Sequence, residues 1–326
     1  MAEREILTRI PAVVGPTASG KTALAISLAA RLGGEIISCD SMQIYREMDI
    51  GTAKPSAAER AAVPHHLIDF LSPDTPYSAS DYARDALACV RDILSRGRLP
   101  IFCGGTGLYL STAVRGGEDA TIPGETAHRA RLEEIGATAG GADALYAELC
   151  EKDPESAAAT HKNNLRRVIR TLEVYYATGV PKSEWDRRSR EKTPTLHVLP
   201  FMIDYPRELL YARIEARVDA MLAEGLLDEV RRLYEAGLLS PDTTAGQAIG
   251  YKEFAACLRG ETDHAAAVAD LKTATRRYAK RQLTWFSADP HLIRLPALTA
   301  DGRPRTAEEL AEEAIAIYRS ENENNF

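Results

Sequence analysis

The segment that most constrains the fold of this chain is residues 15–22, which read GPTASGKT and match the pattern GxxxxGK[ST] in full. An apolar run at Ile10–Val14 precedes the segment, and an Ala- and Leu-rich stretch at Lys21–Leu32 follows it. These flanks predict a buried strand and a helix, which is the context in which the pattern forms a P-loop. Such a loop binds phosphate because its backbone N–H groups and the helix N-terminus point into one concavity.

The predicted phosphate-binding residues are Gly15, Pro16, Thr17, Ala18, Ser19, Gly20, Lys21 and Thr22. We expect Lys21 to neutralise phosphate oxygens and the Thr22 hydroxyl to hold Mg²⁺, which is the cofactor that this loop implies. The loop by itself leaves the phosphate compound open, and a nucleoside triphosphate is the default expectation. A chance glycine turn is disfavoured, because the strand, the loop and the helix are all present.

The pattern along the rest of the chain predicts an α/β fold. Apolar strands at residues 35–39 and 99–103 alternate with helical segments, which indicates a P-loop parallel sheet with helices on both faces. The alternation then gives way to a charged, helical stretch, and strand character returns at residues 196–203. We therefore expect a catalytic core of residues 1–114 and 196–326, interrupted by a helical insert of residues 115–195.

Composition restricts the class of protein. The formal net charge of −7 disfavours a non-specific RNA coat, although local basic faces stay possible. The five cysteines are scattered and form no CxxC, which argues against a disulfide framework or a zinc site and favours reduced thiols. No stretch approaches the roughly 20 apolar residues of a membrane span. We expect a monomeric cytoplasmic protein with no membrane partner.

Two polar positions follow predicted strands and should therefore lie near the P-loop. Asp40 follows the strand at residues 35–39, and Thr106 follows the strand at residues 99–103. Ligands of doubly wound sheets collect at these carboxyl ends. Asp40 would place a carboxylate beside the loop, or would act as a helix cap or an indirect magnesium partner. Thr106 would place a hydroxyl there, or would simply cap a helix.

Cationic residues cluster in three helical segments. Arg213 and Arg217 lie about one turn apart on one predicted helix face, where they could clamp phosphate or be solvated. Residues 275–286 read TRRYAKRQLTWF and combine cations with aromatics, which indicates an RNA-backbone or diphosphate contact. A solvated helix with Leu283 and Trp285 turned inward is the alternative. Residues 166–170, which read RRVIR, present the same choice.

Taken together, seven segments resemble one family, the tRNA dimethylallyltransferases, also called tRNA isopentenyltransferases. They occur in the family's order and cover most of the chain. The run DSMQIY joined to GTAKP is highly specific, because ordinary P-loop kinases lack it. The segments are GPTASGKT (15–22), DSMQIYREMDIGTAKP (40–55), PHHLID (64–69), GGTGLY (104–109), RRVIRTLEVYYATG (166–179), GQAIGYKE (246–253) and TRRYAKRQLTWF (275–286).

The resemblance implies an enzyme that moves the dimethylallyl group of dimethylallyl diphosphate to N6 of the adenine at position 37 of tRNA. It also implies that the P-loop binds the diphosphate of this substrate rather than ATP, with Arg217 on the same diphosphate. Asp40 matches the family's general base, and Thr106 matches a channel residue near the reacting groups. The helical insert should grip the anticodon stem-loop.

The resemblance and the basic clusters together give a set of expected tRNA contacts. They are Asp40, Ser41, Met42, Gln43, Arg166, Arg167, Val168, Ile169, Arg170, Gln247, Arg276, Arg277, Lys280 and Arg281. Two departures from the family pattern fall among these segments. Asn164 stands where the family usually has an acidic residue, after Lys162 in place of a proline, and Gly246 stands where a larger residue is expected.

Three other functions compete with the prenyltransferase. The first is a P-loop small-molecule kinase that uses ATP, which the segment at residues 40–55 disfavours. The second is an adenylate prenyltransferase that acts on free adenine nucleotides and has less need of the insert and the basic cluster. The third is a non-catalytic, nucleotide-switched RNA-binding protein, against which Asp40 and Thr106 beside the loop argue.

Overall fold

A computed structural model of the chain describes residues 9–115, 127–191 and 193–323, and they divide into two compact units. The first unit is Met1–Val114 with Leu196–Phe326, and the second is Arg115–Thr195. The described strands are β1 (Ile10–Val14), β2 (Gly34–Ser38), β3 (His65–His66), β4 (Leu99–Gly104), β5 (Val198–Asp204) and β6 (Ile293–Pro296).

The described helices follow the strands in alternation only in the first unit. They are α1 (Lys21–Leu32), α2 (Ala57–Ala62), α3 (Ala79–Ser95), α4 (Gly107–Val114), α5 (Ala127–Gly136), α6 (Gly141–Lys152), α7 (Pro154–Ala158), α8 (Leu165–Thr178), α9 (Lys182–Glu191), α10 (Arg207–Ala223), α11 (Leu226–Glu235), α12 (Tyr251–Leu258), α13 (His264–Phe286) and α14 (Ala307–Glu323).

The six strands form one parallel sheet in the order β3-β2-β4-β1-β5-β6. The central strand β1 pairs with β4 on one side and with β5 on the other, so that Ala12 lies opposite Phe102 and Pro200. Because β2, β4 and β1 are consecutive in the sheet, the segments that leave their carboxyl ends are neighbours. This order brings the P-loop, Asp40 and Thr106 to one edge of the sheet.

Helices cover both faces of the sheet. On one face α1 and α14 pack Leu28 and Leu310 against Phe201 of β5. On the other face α3 and α4 pack Tyr82 and Tyr109 against the strands. The sheet is buried on both sides, as its nearly continuous apolar strands require. The predicted α/β class is confirmed.

A third apolar cluster in the first unit lies apart from the sheet and holds the segment that follows Asp40. Ile44 and Met48 of that segment pack against Val230 of α11, Tyr251 of α12 and Leu271 of α13. These core residues are almost fully buried. The cluster holds the segment in place, because Ile44 and Met48 cannot leave the cluster without becoming exposed to water.

The second unit is helical and has a core of its own. Helices α5, α6, α7 and α8 contribute to this core, which includes Leu132, Leu149, Val168 and Leu172. Among the helices described in either unit, none is long and apolar enough to cross a bilayer.

The C-terminal segment differs from what its composition indicates. Its polar sequence from Ser320 onward is typical of disorder, but α14 continues to Glu323. The extension has a physical basis, because Glu321 pairs with Arg9 and the Asn322 side chain donates to the Tyr318 carbonyl at 3.0 Å. Residues 320–323 are therefore helical rather than disordered, and residues 324–326 lie outside the described chain.

Candidate active site

The P-loop takes the strand–loop–helix form that its sequence predicts. Gly20 caps the start of α1 with φ of +89°, a left-handed conformation that disfavours a side chain. Inside the loop, the Ser19 hydroxyl and the Lys21 ammonium both donate to the carbonyl of Pro16, at 2.9 and 2.6 Å. Because of these contacts, the loop curves around the Pro16 carbonyl, and the N-terminus of α1 faces a cavity.

This cavity has a volume of about 710 Å³, a size typical of small-molecule sites. Apolar side chains of α10, α13 and the segment before α12 form one part of its wall, among them Val218, Met221, Ile249 and Leu271. Several predicted site residues line it, namely Thr17, Ala18, Gly20, Lys21, Thr22, Asp40, Ser41, Met42, Gln43, Arg217, Gln247, Arg277 and Arg281. The cavity therefore combines a phosphate-binding end with an apolar wall.

Lys21 and Asp40 supply the opposite charges of the cavity. Burial lowers the pKa of the Lys21 ammonium, and Asp40 acts against that shift. Burial likewise raises the pKa of the Asp40 carboxyl, while the Met42 N–H and Lys21 act against the rise. A carboxylate with a raised pKa is a stronger proton acceptor than an ordinary aspartate, and a perturbed pair in a cleft is typical of a catalytic site.

The local fold of residues 40–43 fixes the direction of the Asp40 carboxylate. Its Oδ1 accepts hydrogen bonds from the N–H groups of Met42, at 2.9 Å, and Gln43, at 3.4 Å. This is an Asx turn, in which one oxygen caps the following backbone. Oδ2 accepts no hydrogen bond from a described residue, which leaves one oxygen of Asp40 for a ligand in the cavity.

Thr106 contacts the same turn from the neighbouring strand end, but it is not among the residues that line the cavity. Its Oγ1 accepts a hydrogen bond from the Ser41 N–H at 3.0 Å and donates to the Ser41 hydroxyl at 3.3 Å. The place near the reacting groups that the family resemblance implies for Thr106 stays a prediction. The structure adds a positioning role, because the Thr106 hydroxyl bonds to the turn that carries Asp40.

Gln282 is a site residue that the sequence analysis missed. It is 4% exposed, and its Oε1 accepts from the Thr17 N–H at 2.9 Å while its Nε2 donates to the Gly105 carbonyl at 3.0 Å. One side chain of α13 thus joins the P-loop to the loop that precedes Thr106. The only sequence signal for it was membership of the TRRYAKRQLTWF segment.

The two arginines of α10 have different positions. Arg217 lines the cavity and can reach a ligand there. Arg213 does not line it; its Nε donates to the Ala18 carbonyl at 2.9 Å, and its guanidinium lies 4.9 Å from the centre of the Tyr205 ring. Ala18 has φ of +63°, so Arg213 supports a strained residue of the P-loop.

Two buried charges that the sequence analysis also missed organise residues 48–55. Glu229 of α11 is 3% exposed and accepts hydrogen bonds from the N–H groups of Asp49, Ile50 and Gly51 and from the Tyr251 hydroxyl. Lys54 is also buried; it donates to the Tyr45 carbonyl at 2.8 Å and pairs with Asp69. Part of the segment DSMQIYREMDIGTAKP is therefore explained by folding, because its residues 48–55 form a loop at the edge of the cavity.

The basic residues of α13 divide between the cavity and the surface. Arg277 and Arg281 line the cavity, whereas Lys280 is exposed and lies outside its lining. Arg276 pairs with Glu215 at 2.6 Å and is also absent from the lining. Arg276 thus joins α13 to α10 by an ion pair, and its expected contact with tRNA stays a prediction.

The RRVIR segment of α8 divides in the same way. Arg166 and Arg167 are exposed, but Val168 and Ile169 are buried in the core of the second unit. The expected side-chain contacts of Val168 and Ile169 with tRNA are therefore wrong, because both side chains pack in that core. Arg170 pairs with the fully buried Glu173 at 2.8 Å.

Both departures from the family pattern have a structural explanation. Asn164 is the N-cap of α8 and accepts from the Arg167 N–H at 3.4 Å, a role in which Asn and Asp are about equally favourable. A Cβ at Gly246 would lie 1.9 Å from the Ser240 carbonyl oxygen, so this backbone excludes a larger residue. Neither change removes an atom that lines the cavity.

The cavity offers few protein ligands for a metal. Thr22 and Asp40 both line it, and they provide hard oxygen donors. Over the described ranges, no group of three or more His, Cys, Asp or Glu side chains could hold a metal ion. This donor set suits Mg²⁺, which binds through a few protein oxygens together with water and substrate phosphates.

Comparison with known proteins places this geometry in a family. The family model described as IPP transferase matches residues 43–289, and the one described as isopentenyl transferase matches residues 8–69. The chain is 50% identical to a tRNA dimethylallyltransferase of Geobacillus thermodenitrificans, over 85% of this chain and 87% of the relative. It is 49% identical to the corresponding protein of a Roseiflexus species, over 91% and 95%.

Two solved structures are similar as well. A tRNA isopentenylpyrophosphate transferase of Bacillus halodurans superposes with a TM-score of 0.68 at 39% identity, covering 97% of this chain and 98% of that one. A eukaryotic dimethylallyltransferase acting on tRNA superposes with a TM-score of 0.80 at 29% identity, covering 97% of this chain and 80% of that one. The resemblance noted from the sequence is confirmed.

Proposed function

The chain belongs to the IPP transferase family, and on this premise we propose that it transfers the dimethylallyl group of dimethylallyl diphosphate to N6 of the adenine at position 37 of tRNA. The products are diphosphate and N6-(dimethylallyl)adenosine in the tRNA. The observation that carries the proposal is the cavity, in which a P-loop with Lys21, an acceptor carboxylate with Asp40 and an apolar wall face one another.

The leaving group determines what the P-loop must do. When the allylic C–O bond breaks, negative charge grows on the departing diphosphate. The P-loop N–H groups, the Lys21 ammonium and the Arg217 guanidinium line the cavity where that charge would develop. Mg²⁺, held by the Thr22 hydroxyl and the diphosphate oxygens, would supply further positive charge. These groups accelerate transfer because they bind the departing diphosphate more strongly than the substrate ester.

The nucleophile determines what Asp40 must do. The lone pair of the adenine N6 is delocalised into the ring, so the amine becomes acidic only as its new bond to carbon forms. Asp40 Oδ2 then accepts the proton, while Oδ1 stays bound to the Met42 N–H. The raised pKa of Asp40, which follows from burial, suits this role.

The RNA must deliver its base to this cavity. Flipping an adenine out of a stacked loop costs a few kcal/mol, which cationic contacts with the surrounding backbone can offset. Arg277, Arg281 and Gln247 at the cavity, together with residues 41–43, are suited to this task. We assign the grip on the anticodon stem-loop to the helical insert, through its exposed Arg166 and Arg167.

Two further features belong to the same proposal. All five cysteines are free, and burial raises the pKa of the Cys39 and Cys103 thiols to about 12, so neither is a thiolate at neutral pH. Free thiols are typical of a reducing compartment, which supports a cytoplasmic enzyme. We further propose a monomer, because the P-loop, Asp40 and Arg217 of a single chain supply the charged groups that the cavity needs.

The test is an incubation of the purified protein with dimethylallyl diphosphate and Mg²⁺ and three parallel acceptors: unmodified tRNA, the same tRNA with position 37 changed, and AMP. We expect prenylated adenosine and diphosphate with the unmodified tRNA alone. Transfer to AMP would instead indicate an adenylate prenyltransferase, and phosphorylation of a small molecule in a separate incubation with ATP would indicate a kinase. RNA binding without any turnover would reject the enzyme.

A further inference from the structure

The surface beside the cavity carries an unusual pair of exposed apolar side chains. Only three large hydrophobic side chains of the described residues are exposed, and two of them are Trp285 at 50% and Leu108 at 54%. Trp285 packs on Gly107, the residue before Leu108, because a Cβ on that glycine would lie 2.2 Å from Cδ1 and from Nε1 of Trp285. The indole edge therefore rests on the start of α4, while half of the side-chain surface stays open to solvent.

Trp285 is not turned into the core, contrary to what the sequence alternative for α13 would require. The inward-facing residues near the end of that helix are Gln282 and Phe286, which are 4% and 6% exposed. Helical spacing places Trp285 on the same side as Arg281, one turn earlier, and Arg281 lines the cavity. The indole thus lies immediately outside the cavity, one helical turn from its wall.

The same side of α13 is positively charged. Arg277 and Arg281, eight and four residues before Trp285, are exposed, and neither of them forms an ion pair with another described residue. The guanidinium of Arg281 lies 5.6 Å from the centre of the Tyr278 ring. A solvent-facing indole beside unpaired cations is the arrangement by which proteins bind unpaired nucleotides, with stacking on the ring and ionic contact to the phosphates.

We propose that Trp285 and Leu108 form a stacking platform for one unpaired base of the RNA substrate, a base next to the acceptor adenine rather than the adenine itself. The inference rests on the proposed function, because it presupposes a single-stranded loop at the cavity. The acceptor adenine must leave the stack, and its neighbour then loses a stacking contact. Stacking of that neighbouring base on the platform would offset part of the cost.

The surroundings favour RNA over a protein partner. Two apolar side chains offer far less surface than the roughly 800 Å² that each partner buries in a standard protein interface. The adjacent charges are cationic, and the protein as a whole has a net charge of −7, so the patch is a local exception suited to an anionic ligand.

The chain permits a direct measurement, because it contains two tryptophans and the other is Trp185 of the insert. A Trp185→Phe protein reports fluorescence from Trp285 alone. We expect titration with an anticodon stem-loop RNA to quench this emission, with the same midpoint as the anisotropy of an end-labelled copy of that RNA. Binding by anisotropy without any change in Trp285 emission would overturn the platform and leave the proposed function intact.

Variants supply the second measurement. Trp285→Ala should weaken RNA binding by about 5- to 150-fold, the range that corresponds to loss of one base–aromatic stack, and Trp285→Phe should restore most of it. The salt dependence of binding should stay unchanged, whereas Arg281→Ala should flatten it by about one phosphate contact. The binding of dimethylallyl diphosphate should be unaffected in both Trp285 variants.

Leu209→Ala is the matched control, since Leu209 is the remaining exposed large hydrophobic residue and is absent from the cavity lining. Equal RNA affinity of Trp285→Ala and Leu209→Ala would overturn the platform. Failure of the unaltered protein to bind the RNA at all would overturn the proposed function together with it.

Discussion

The P-loop and the RRVIR segment of the insert are both short motifs, but their residues are arranged very differently. The P-loop residues from Gly15 to Gly20 form one loop, and Lys21 and Thr22 begin α1 at its end and line the cavity. The RRVIR segment is helical, so its residues point in different directions. Two of its residues are exposed, two are buried and one is paired with Glu173.

The difference shows when the residues of a motif can all be assigned one function and when they cannot. A loop motif that follows a buried strand directs several of its backbone N–H groups to one site, so the run has one function there. A helical motif changes face every one or two residues, so only part of it can meet a partner. The following predictions test this contrast in the core and in the insert.

The largest effect should come from the P-loop. Lys21→Ala should reduce prenyl transfer by more than about 10³-fold, because the departing diphosphate loses a direct counter-charge in a site where one lost donor already costs about 10²–10³-fold. The measurement is single-turnover transfer to saturating tRNA. Lys272→Ala, which removes a partly exposed partner of Asp219, is the control and should leave the rate unchanged. Near-normal activity of Lys21→Ala would reject the assignment of the loop.

A smaller effect should come from the link between the loops. Gln282→Leu leaves the Thr17 N–H and the Gly105 carbonyl without their partner, at a cost of about 1–3 kcal/mol for each buried group. We expect kcat to fall by about 10- to 100-fold and tRNA affinity to stay the same. Gln282→Glu keeps the acceptor for Thr17 and should recover part of the loss. If tRNA affinity and kcat fell together in Gln282→Leu, the residue would act in folding rather than in positioning.

The smallest effect should come from the insert. Arg166→Ala combined with Arg167→Ala should weaken tRNA binding by about tenfold and reduce its salt dependence by about two phosphate contacts. Binding of dimethylallyl diphosphate should hardly change. Arg170→Ala is a sharp comparison, because it removes the partner of a buried carboxylate and should lower the Tm instead. Equal weakening of both ligands by the double variant would make this face a folding element.

The sequence predicted the sheet and the three strand ends of the site because short-range patterns determine them. The apolar run at Ile10–Val14 and the positions of Asp40 and Thr106 after their strands are enough to bring them to one edge. The roles of Gln282 and Glu229 were beyond this reasoning. Gln282 bonds to Thr17 across 265 positions of the chain, and a separation of that size leaves no periodic signal.

Side-chain roles were also less predictable than positions. Thr106 was expected beside the reacting groups, but its hydrogen bond with the Ser41 N–H was not foreseen. Arg276 and Arg277 are neighbours in the sequence, but only Arg277 lines the cavity. In each case the outcome depends on a nearby partner, an N–H group or a carboxylate, which composition and spacing cannot reveal.

The central claim is that Asp40 accepts the proton from the adenine N6. Asp40→Asn keeps the shape of the side chain and its Oδ1 contact with the Met42 N–H, but removes the proton acceptor. Positioned general bases contribute about 10²–10⁴-fold, so we expect a rate loss of that size with tRNA affinity changed by less than about tenfold.

The decisive measurement is single-turnover prenylation of saturating tRNA across a Mg²⁺ series, for the unaltered protein and for Asp40→Asn. If Asp40 is the base, the deficit persists at saturating Mg²⁺, because the lesion is in proton transfer. If Asp40 only supports the metal, raising Mg²⁺ restores most of the rate. A deficit that disappears with added Mg²⁺ would contradict the account and move Asp40 to the metal site.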